Sequence, residues 1–444
     1  MDTVVLSRAL FGSSMAFHII FATLGVGVPV MILFAEILYH VRKDADYALM
    51  AKRWTRGFAI LLGVAIPSGT IVGVMLALLW PGFMEIVGQV IALPFQIEIW
   101  AFFLEALFMS IYVYAADRLT PLQRITSVFF VALGAVGSAV LITDAQAWMN
   151  TPTGFTYKDG VISDVHPWQA FFNPNFATSA THVAVSAFMT GAFAIASVAA
   201  FKLLRRGRTE REYTYHRKSL FIALLLGGVM SILTAVNGHA TAQKLHKHNP
   251  EKLAAAESLF ETRSYAPLAI GGSPDPETGE VKGAIEIPWL LSFLATNSFS
   301  GVVKGLNEFP REDWPPLYTH TLFNAMVGIG SVLILIAIVG AWWYYRRRSY
   351  ARWLLWVLAA TGPLSMLGIE LGWVFSCSGR QPWTIYHIQR TTEAATKTAE
   401  VGPLLVLFVS IYVFLLIVTA LVMSFYFKRH PVAREWQTAK EPGR

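Results

Sequence analysis

The 444-residue chain has a single cysteine, Cys377. One thiol excludes an internal disulfide, a CxxC redox pair and the CxxCH motif that attaches a c-type haem. Charge is scarce as well: 14% of residues are charged, against 55% hydrophobic and 13% aromatic. A soluble domain of this length needs far less apolar material to fill a core, so the balance points to a membrane protein. No cationic stretch precedes the first apolar run, and no small-residue cleavage site follows a short apolar core, so that run reads as a retained span and not as a signal peptide. No convincing internal repeat is found, which leaves the inverted-repeat transporter architecture without direct support.

What the chain does have is long apolar runs. Nine could cross a bilayer core of about 30 Å, which takes roughly 20 helical residues: Ser13 to Tyr39, Gly57 to Trp80, Leu93 to Tyr114, Ile125 to Ile142, Ala180 to Ala200, Leu220 to Val236, Leu322 to Tyr344, Leu354 to Phe375 and Pro403 to Phe427. The expected fold class is all-α, a polytopic bundle of about nine membrane helices. Lysine and arginine alternate between the connections. One set holds Arg42, Lys43, Lys52, Arg53 and Arg56, then Arg118 and Arg124, the cluster from Lys202 to Lys218, then Arg346, Arg347, Arg348 and Arg352, and the tail from Lys428. Such residues collect on the cytoplasmic side, so the N-terminus is expected outside and the C-terminus in the cytoplasm. The net charge of +7 follows from this topology and calls for no nucleic-acid partner.

Gly238 to Leu317 breaks the rhythm with about eighty mostly polar residues on the outer side, and a loop that long is usually functional or disordered. Its start is expected to be helical. Asn249 suits an N-cap, Pro250 the first helical position, and Leu253, Ala256, Leu259 and Phe260 recur at helical spacing. The stretch SPDPETGEVKG reads as turns. Four segments result: residues 1–237 with six spans, the loop 238–317, residues 318–430 with three spans, and a cytoplasmic tail, 431–444.

An ionisable side chain inside a span costs about 2.5 to 3.5 kcal/mol on insertion scales unless something compensates. His18 is expected about a turn into the first span. Glu98 and Glu105 lie about 20° apart on one face of the third. Asp144 and Gln146 end the fourth, His182 opens the fifth, Met326 opens the seventh, and Glu370 sits in the outer part of the eighth. Helices running in both directions thus place these groups in one outer layer. Two histidines, a methionine and a carboxylate are residue types that ligate haem iron, and a bundle interior is where helix-borne ligands meet a cofactor. Taken singly, several have plainer explanations. A histidine near a helix end is more often interfacial, a methionine is commonly packing, Asp144 would mark the membrane boundary, His320 would be a loop residue and Glu36 would snorkel. Two carboxylates on one apolar face fit packing poorly and point to a proton relay.

GRQPW (Gly379 to Trp383) after a helix containing IELGW, LSRALFGSSMAFH near the N-terminus, AFFLE in the third span, ATHVAVSAFMTGA in the fifth and KLAAAE in the long loop occur in order over nearly the whole chain. Together they resemble subunit I of cytochrome bd-type quinol oxidases. The resemblance implies a terminal oxidase of the bacterial cytoplasmic (inner) membrane. Such an enzyme oxidises quinol at the outer face and reduces O2 to water, building a proton gradient by charge separation without pumping. It implies His182 and Met326 as axial ligands of a low-spin haem b. His18 and Glu370 match ligands of two high-spin haems, a haem b with haem d or a third haem b. Glu98 and Glu105 match carboxylates that handle protons beside the oxygen-reducing site, and Lys252 and Glu257 match loop residues that bind quinol. Arg380 and Gln381 lie in the signature, and an arginine there suits a haem propionate. A second large membrane subunit, with or without a small accessory subunit, is the implied partner. Two departures stand out: Asn324 occupies a position where the family pattern implies arginine, and the loop lacks a long insertion, as in the cyanide-insensitive branch. Readings of other classes are an ion- or proton-coupled transporter, or a haem-bearing quinol dehydrogenase that never meets oxygen.

Overall fold

The computed structural model describes residues 2–347, 349–398 and 400–440. Arg348 and residues 441–444, counted above in a basic connection and in the tail, lie outside the described residues. Among the described residues nine helices are long and apolar enough to cross a membrane: Thr3–Arg42, Ala45–Leu79, Ala92–Tyr114, Pro121–Asn150, Phe176–Leu204, Glu210–His248, Tyr318–Arg346, Arg352–Ser378 and Val401–Arg429. They match the nine apolar runs in order. Several run well past them, and at some N-termini a polar cap, not hydropathy, marks where the helix starts. The first begins at Thr3, where the Asp2 carboxylate accepts from the Val4 N–H. A Thr209–Glu212 capping box opens the sixth, which continues to His248, so the expected loop is helical from Gly238 to that point.

Glycines let the helices approach closely. The first and fifth spans cross at Gly27 and Gly191, where a Cβ on Gly27 would lie 2.2 Å from the Ala187 carbonyl oxygen; small residues serve this purpose in membrane bundles. The third and fourth meet the same way, a Cβ on Gly134 falling 2.7 Å from the Glu105 amide nitrogen. The eighth span is broken at Ala360 into Arg352–Ala359 and Thr361–Ser378. Pro363 supplies no N–H for the Ala359 carbonyl, and the Ser197 hydroxyl of the fifth span donates to that carbonyl instead. Buried ion pairs close the basic end: Asp46 accepts from Arg211 and Lys218, and Arg53 binds Glu435 of the C-terminal helix Val432–Lys440. Glu36 does not snorkel. It is 2% exposed and accepts from Arg124 Nη2 at 2.7 Å and from the Tyr112 hydroxyl.

At the opposite end the loop folds over the span termini. A helix, Pro250–Glu257, starts with proline at its first position as expected, but Asn249 makes no side-chain cap; its amide reaches Asn150 O at 2.8 Å. Ser258 ends the helix in the left-handed region, φ 52. Leu259 and Phe260, expected inside the helix, lie beyond it and fill two small loop cores, Leu259 with Leu253, Leu291 and Val303, Phe260 with Ala254 and Leu306. Within SPDPETGEVKG the chain forms an antiparallel pair, Ser273–Asp275 with Glu280–Lys282, around the expected turn. Leu268–Ile270 pairs with Ile285–Ile287 below it. From Glu251 to Glu257 every residue of the loop helix is buried.

Candidate functional site

His18 lies about four turns from the start of its helix, further than expected because the helix begins at Thr3. Its Nδ1 is 2.9 Å from Ser68 Oγ. The Ser68 hydroxyl has one proton and donates it to the Ala65 carbonyl, also at 2.9 Å. The serine oxygen can therefore only accept, so Nδ1 carries the ring proton and Nε2 keeps a bare lone pair. Gly69 makes room for the ring, since a Cβ there would sit 3.0 Å from His18 Cε1. His182 has the same arrangement on the fifth span: Nδ1 donates to Asn237 Oδ1 of the sixth at 3.0 Å, leaving Nε2 as the lone-pair atom. A hydrogen bond on one ring nitrogen that fixes the tautomer and aim of the other is the usual support of a metal-bound histidine.

Packing of the seventh and eighth spans sets Met326 against Gly372. A Cβ on Gly372 would meet Met326 Sδ at 3.0 Å, so only glycine leaves the sulfur its position. Glu370, half a turn before, has its Oε1 buried with no partner among the described residues. An orphaned buried carboxylate oxygen is costly and is a feature that a bound cation would explain. Glu98 and Glu105 face the fourth span: Ser138 Oγ donates to Glu98 Oε1 at 2.5 Å, and Glu105 is buried against Gly134.

The loop helix brings a second group of charges beside the eighth span. Lys252 is 4% exposed. Its Nζ donates to the Ser376 carbonyl at 2.9 Å, and the chain lies so close to Gly379 that a Cβ on that glycine would be 3.0 Å from Lys252 Cε. The first residue of GRQPW thus makes room for the lysine. Burial, and then the neighbouring Arg380, push the Lys252 ammonium down to about 7. Glu257 is also buried, its Oε2 has no partner among the described residues, and burial pushes its carboxyl up to about 8. The spacing of five turns the two about 140° apart around the helix. Arg380 is 7% exposed, and its Nε and Nη1 have no partner among the described residues. Gln381 instead accepts from the Thr391 hydroxyl at 2.9 Å, tying the signature to the segment after it.

Sequence reasoning missed the supporting residues. Ser68 and Asn237 are ordinary span residues until a histidine faces them. Asp144 does not mark a boundary: the fourth helix runs on to Asn150, and Asp144 is fully buried, accepting from Asn173 Nδ2 at 2.7 Å. His320 is not a solvent-side loop residue either. It is fully buried with both ring nitrogens on carbonyls, Ala256 O at 2.8 Å and Gly271 O at 2.9 Å. Asn324 accepts from the Gly271 N–H at 2.9 Å, so it pins the loop to the seventh span. No sequence signal marked these contacts, because they join segments far apart in the chain.

Two histidines with bare Nε2 atoms, a thioether in a glycine-made gap, an orphaned carboxylate and an unpartnered buried guanidinium fit haem iron with its propionates. The family model for cytochrome bd terminal oxidase subunit I matches residues 6–431. The chain belongs to that family. It is 59% identical over 442 residues to "Putative cytochrome bd menaquinol oxidase subunit I" of Bacillus subtilis (strain 168), covering 99% of this chain and 100% of that protein. With "Cytochrome bd ubiquinol oxidase subunit 1" of the same organism it shares 31% identity, covering 96% of this chain and 93% of that one. The solved bd oxidase from Geobacillus thermodenitrificans superposes with a TM-score of 0.91 at 42% identity, over 97% of this chain and 99% of that chain.

Proposed function

We propose that the chain is the haem-carrying subunit of a terminal oxidase that oxidises membrane quinol at the loop end and reduces dioxygen to water. Family membership supports the quinol-oxidase role, and the relatives are named as a menaquinol and a ubiquinol oxidase. The observation that carries the reading is the set of ligand atoms held ready inside the bundle: Nε2 of His18 and of His182, Met326 Sδ and Glu370 Oε1. Bound haem would supply one-electron redox chemistry and, where an iron position is open, a place for dioxygen.

His182 and Met326 are assigned to a low-spin haem b, and His18 and Glu370 to the high-spin pair, haem b with haem d or a third haem b. Arg380 would hold a propionate. Lys252, with its ammonium lowered to about 7, can accept a proton from a quinol hydroxyl near neutral pH, and Glu257, protonated below about 8, can donate a hydrogen bond to one. Glu98 and Glu105 would hold protons beside the oxygen-reducing site. The alternation of cations supports a topology with the loop and N-terminus outside and the C-terminal tail in the cytoplasm. Residues 238–317 would then be the quinol-binding unit between the six-span and three-span parts. Protons from quinol would leave on the outer side while those for water come from within, which separates charge without a pump. A second large subunit completes the complex in the bacterial cytoplasmic membrane.

The test is a reduced-minus-oxidised optical spectrum of the purified complex with His182→Ala and Met326→Leu. Both substitutions are expected to remove or shift the low-spin signal; full retention in both would overturn the ligand assignment. Oxygen uptake driven by reduced quinone separates an oxidase from a transporter and from a dehydrogenase.

A further inference from the structure

One group of side chains at the loop end is left unused by this function. Glu251 precedes Lys252 in the buried loop helix and is 6% exposed. Its Oε2 accepts from the Tyr386 hydroxyl, and its Oε1 lies 3.2 Å from His387 Nε2. Tyr386 and His387 form the turn of the hairpin that grows out of GRQPW, in which Trp383–Ile385 pairs with Gln389–Arg390. His387 has φ 56 and stacks on Trp383 at 5.2 Å. Its side chain is 52% exposed, whereas that of Glu251 is 8% exposed. The pair therefore joins a buried carboxylate next to Lys252 to bulk water.

A polar run leads there from Lys252. Its Nζ is 3.5 Å from Asn150 Oδ1, Asn249 Nδ2 donates to Asn150 O at 2.8 Å, and the Asn249 side chain also bonds Tyr386. Amides neither gain nor lose protons near neutral pH, so Asn150 and Asn249 can only hold the run in place. Tyr386, Glu251 and His387 can carry a proton. The other charges facing them are Lys252 on the same helix and, beside the hairpin, Arg390 with its partners Asp313 at 2.8 Å and Glu312 at 3.7 Å.

We propose that Glu251 and His387, held by Tyr386, form the outlet by which protons released from quinol reach water. The proposal rests on the quinol-oxidase reading above. Oxidation of quinol to quinone breaks two O–H bonds, sends two electrons through the oxidase to dioxygen, and frees two protons. A proton arriving on Glu251 Oε1 passes to His387 Nε2, and the ring releases its Nδ1 proton to water; this restores the carboxylate and leaves the ring as its Nε2–H tautomer, which a flip of the half-exposed ring resets before the next proton. Imidazole exchanges protons with water near neutral pH, and its two nitrogens can face opposite sides of the step.

His387→Asn in the whole complex is the decisive variant. Asparagine tolerates positive φ and can still donate to Glu251, but it carries no proton. The expected result is a fall in kcat for quinol-driven oxygen uptake of about ten-fold or more with KM for quinol unchanged, a steepened pH profile, and recovery of rate on adding imidazole to the buffer. Glu251→Gln should give the same kcat loss without imidazole rescue. A wild-type kcat and pH profile in His387→Asn would overturn the outlet. A slow variant that imidazole does not restore would also overturn it, leaving a tether. If instead the unsubstituted complex takes up no oxygen with quinol, the quinol-oxidase reading itself fails.

Discussion

Lys252→Met should stabilise the protein while abolishing quinol oxidation. The displacement of the ammonium from its ordinary 10.5 to about 7 is worth about 5 kcal/mol against the charged form, of which about 4 remains at pH 7. Methionine keeps the apolar stem beside Phe375 and Gly379 and removes that penalty. It also leaves the Ser376 carbonyl without its 2.9 Å donor, which costs about 1–3 kcal/mol. The net expectation is a gain of about 1–3 kcal/mol near neutral pH. The sign with pH follows from proton counts. Between about 7 and 10.5 the unfolded chain binds the lysine proton and the folded chain does not, so wild-type stability rises with pH through that window. The variant lacks this rise, so its advantage should vanish on the way to the upper limit and turn into a deficit of about 1–3 kcal/mol there, where only the unpaired Ser376 carbonyl is left. Thermal unfolding of the purified complex in detergent, followed from neutral to alkaline pH alongside oxygen uptake, measures both effects. A variant less stable than wild type at neutral pH, with an unchanged pH slope, would refute the reasoning.

Glu257→Gln should act on the opposite slope. With the folded carboxyl raised to about 8 from an ordinary 4.5, wild-type stability falls as pH rises through that window, and the variant's unfolding midpoint should stay flatter while quinol turnover drops. Ser68→Ala and Asn237→Leu each remove the acceptor of a histidine Nδ1 proton. Each should lower haem retention about 10–100-fold, on different haem signals in the optical spectrum. Gly372→Ala forces a Cβ to 3.0 Å from Met326 Sδ, so it should shift the low-spin spectrum and cost about 1–3 kcal/mol of stability. Glu105→Gln should reduce oxygen turnover with haem content kept, checked by comparing uptake rate with the absorbance of the same sample.

How much could be read in advance differs between the fold and the site. Nine spans were legible because a membrane helix must be continuously apolar, and the loop helix began at Pro250 as its sequence indicates. Helix ends were less legible: the additional turns from Thr3 are interrupted by Ser7 and Arg8, those up to His248 are polar, and the caps at Asp2 and Thr209 are local features that hydropathy ignores. Among the candidate site residues, His18, His182 and Glu370 could be named because ionisable side chains are expensive in a span and these match a motif, and Met326 because it shares their layer and matches the family pattern. His320 and Asp144 were misjudged because position near a helix end suggested exposure, while packing against Gly271 and Asn173 buried them.

By itself the sequence determined the class of molecule, the number of spans and the chemical types of the candidate ligands, since each depends on composition and on periodicity along one segment. Tertiary structure alone decided which atom of each histidine carries the proton, why positions 372 and 379 are glycine, and that Glu251 meets His387 across more than a hundred residues of chain. Those properties depend on which helices touch at which heights. Contacts between distant segments are set by the whole packing, and no local pattern records them.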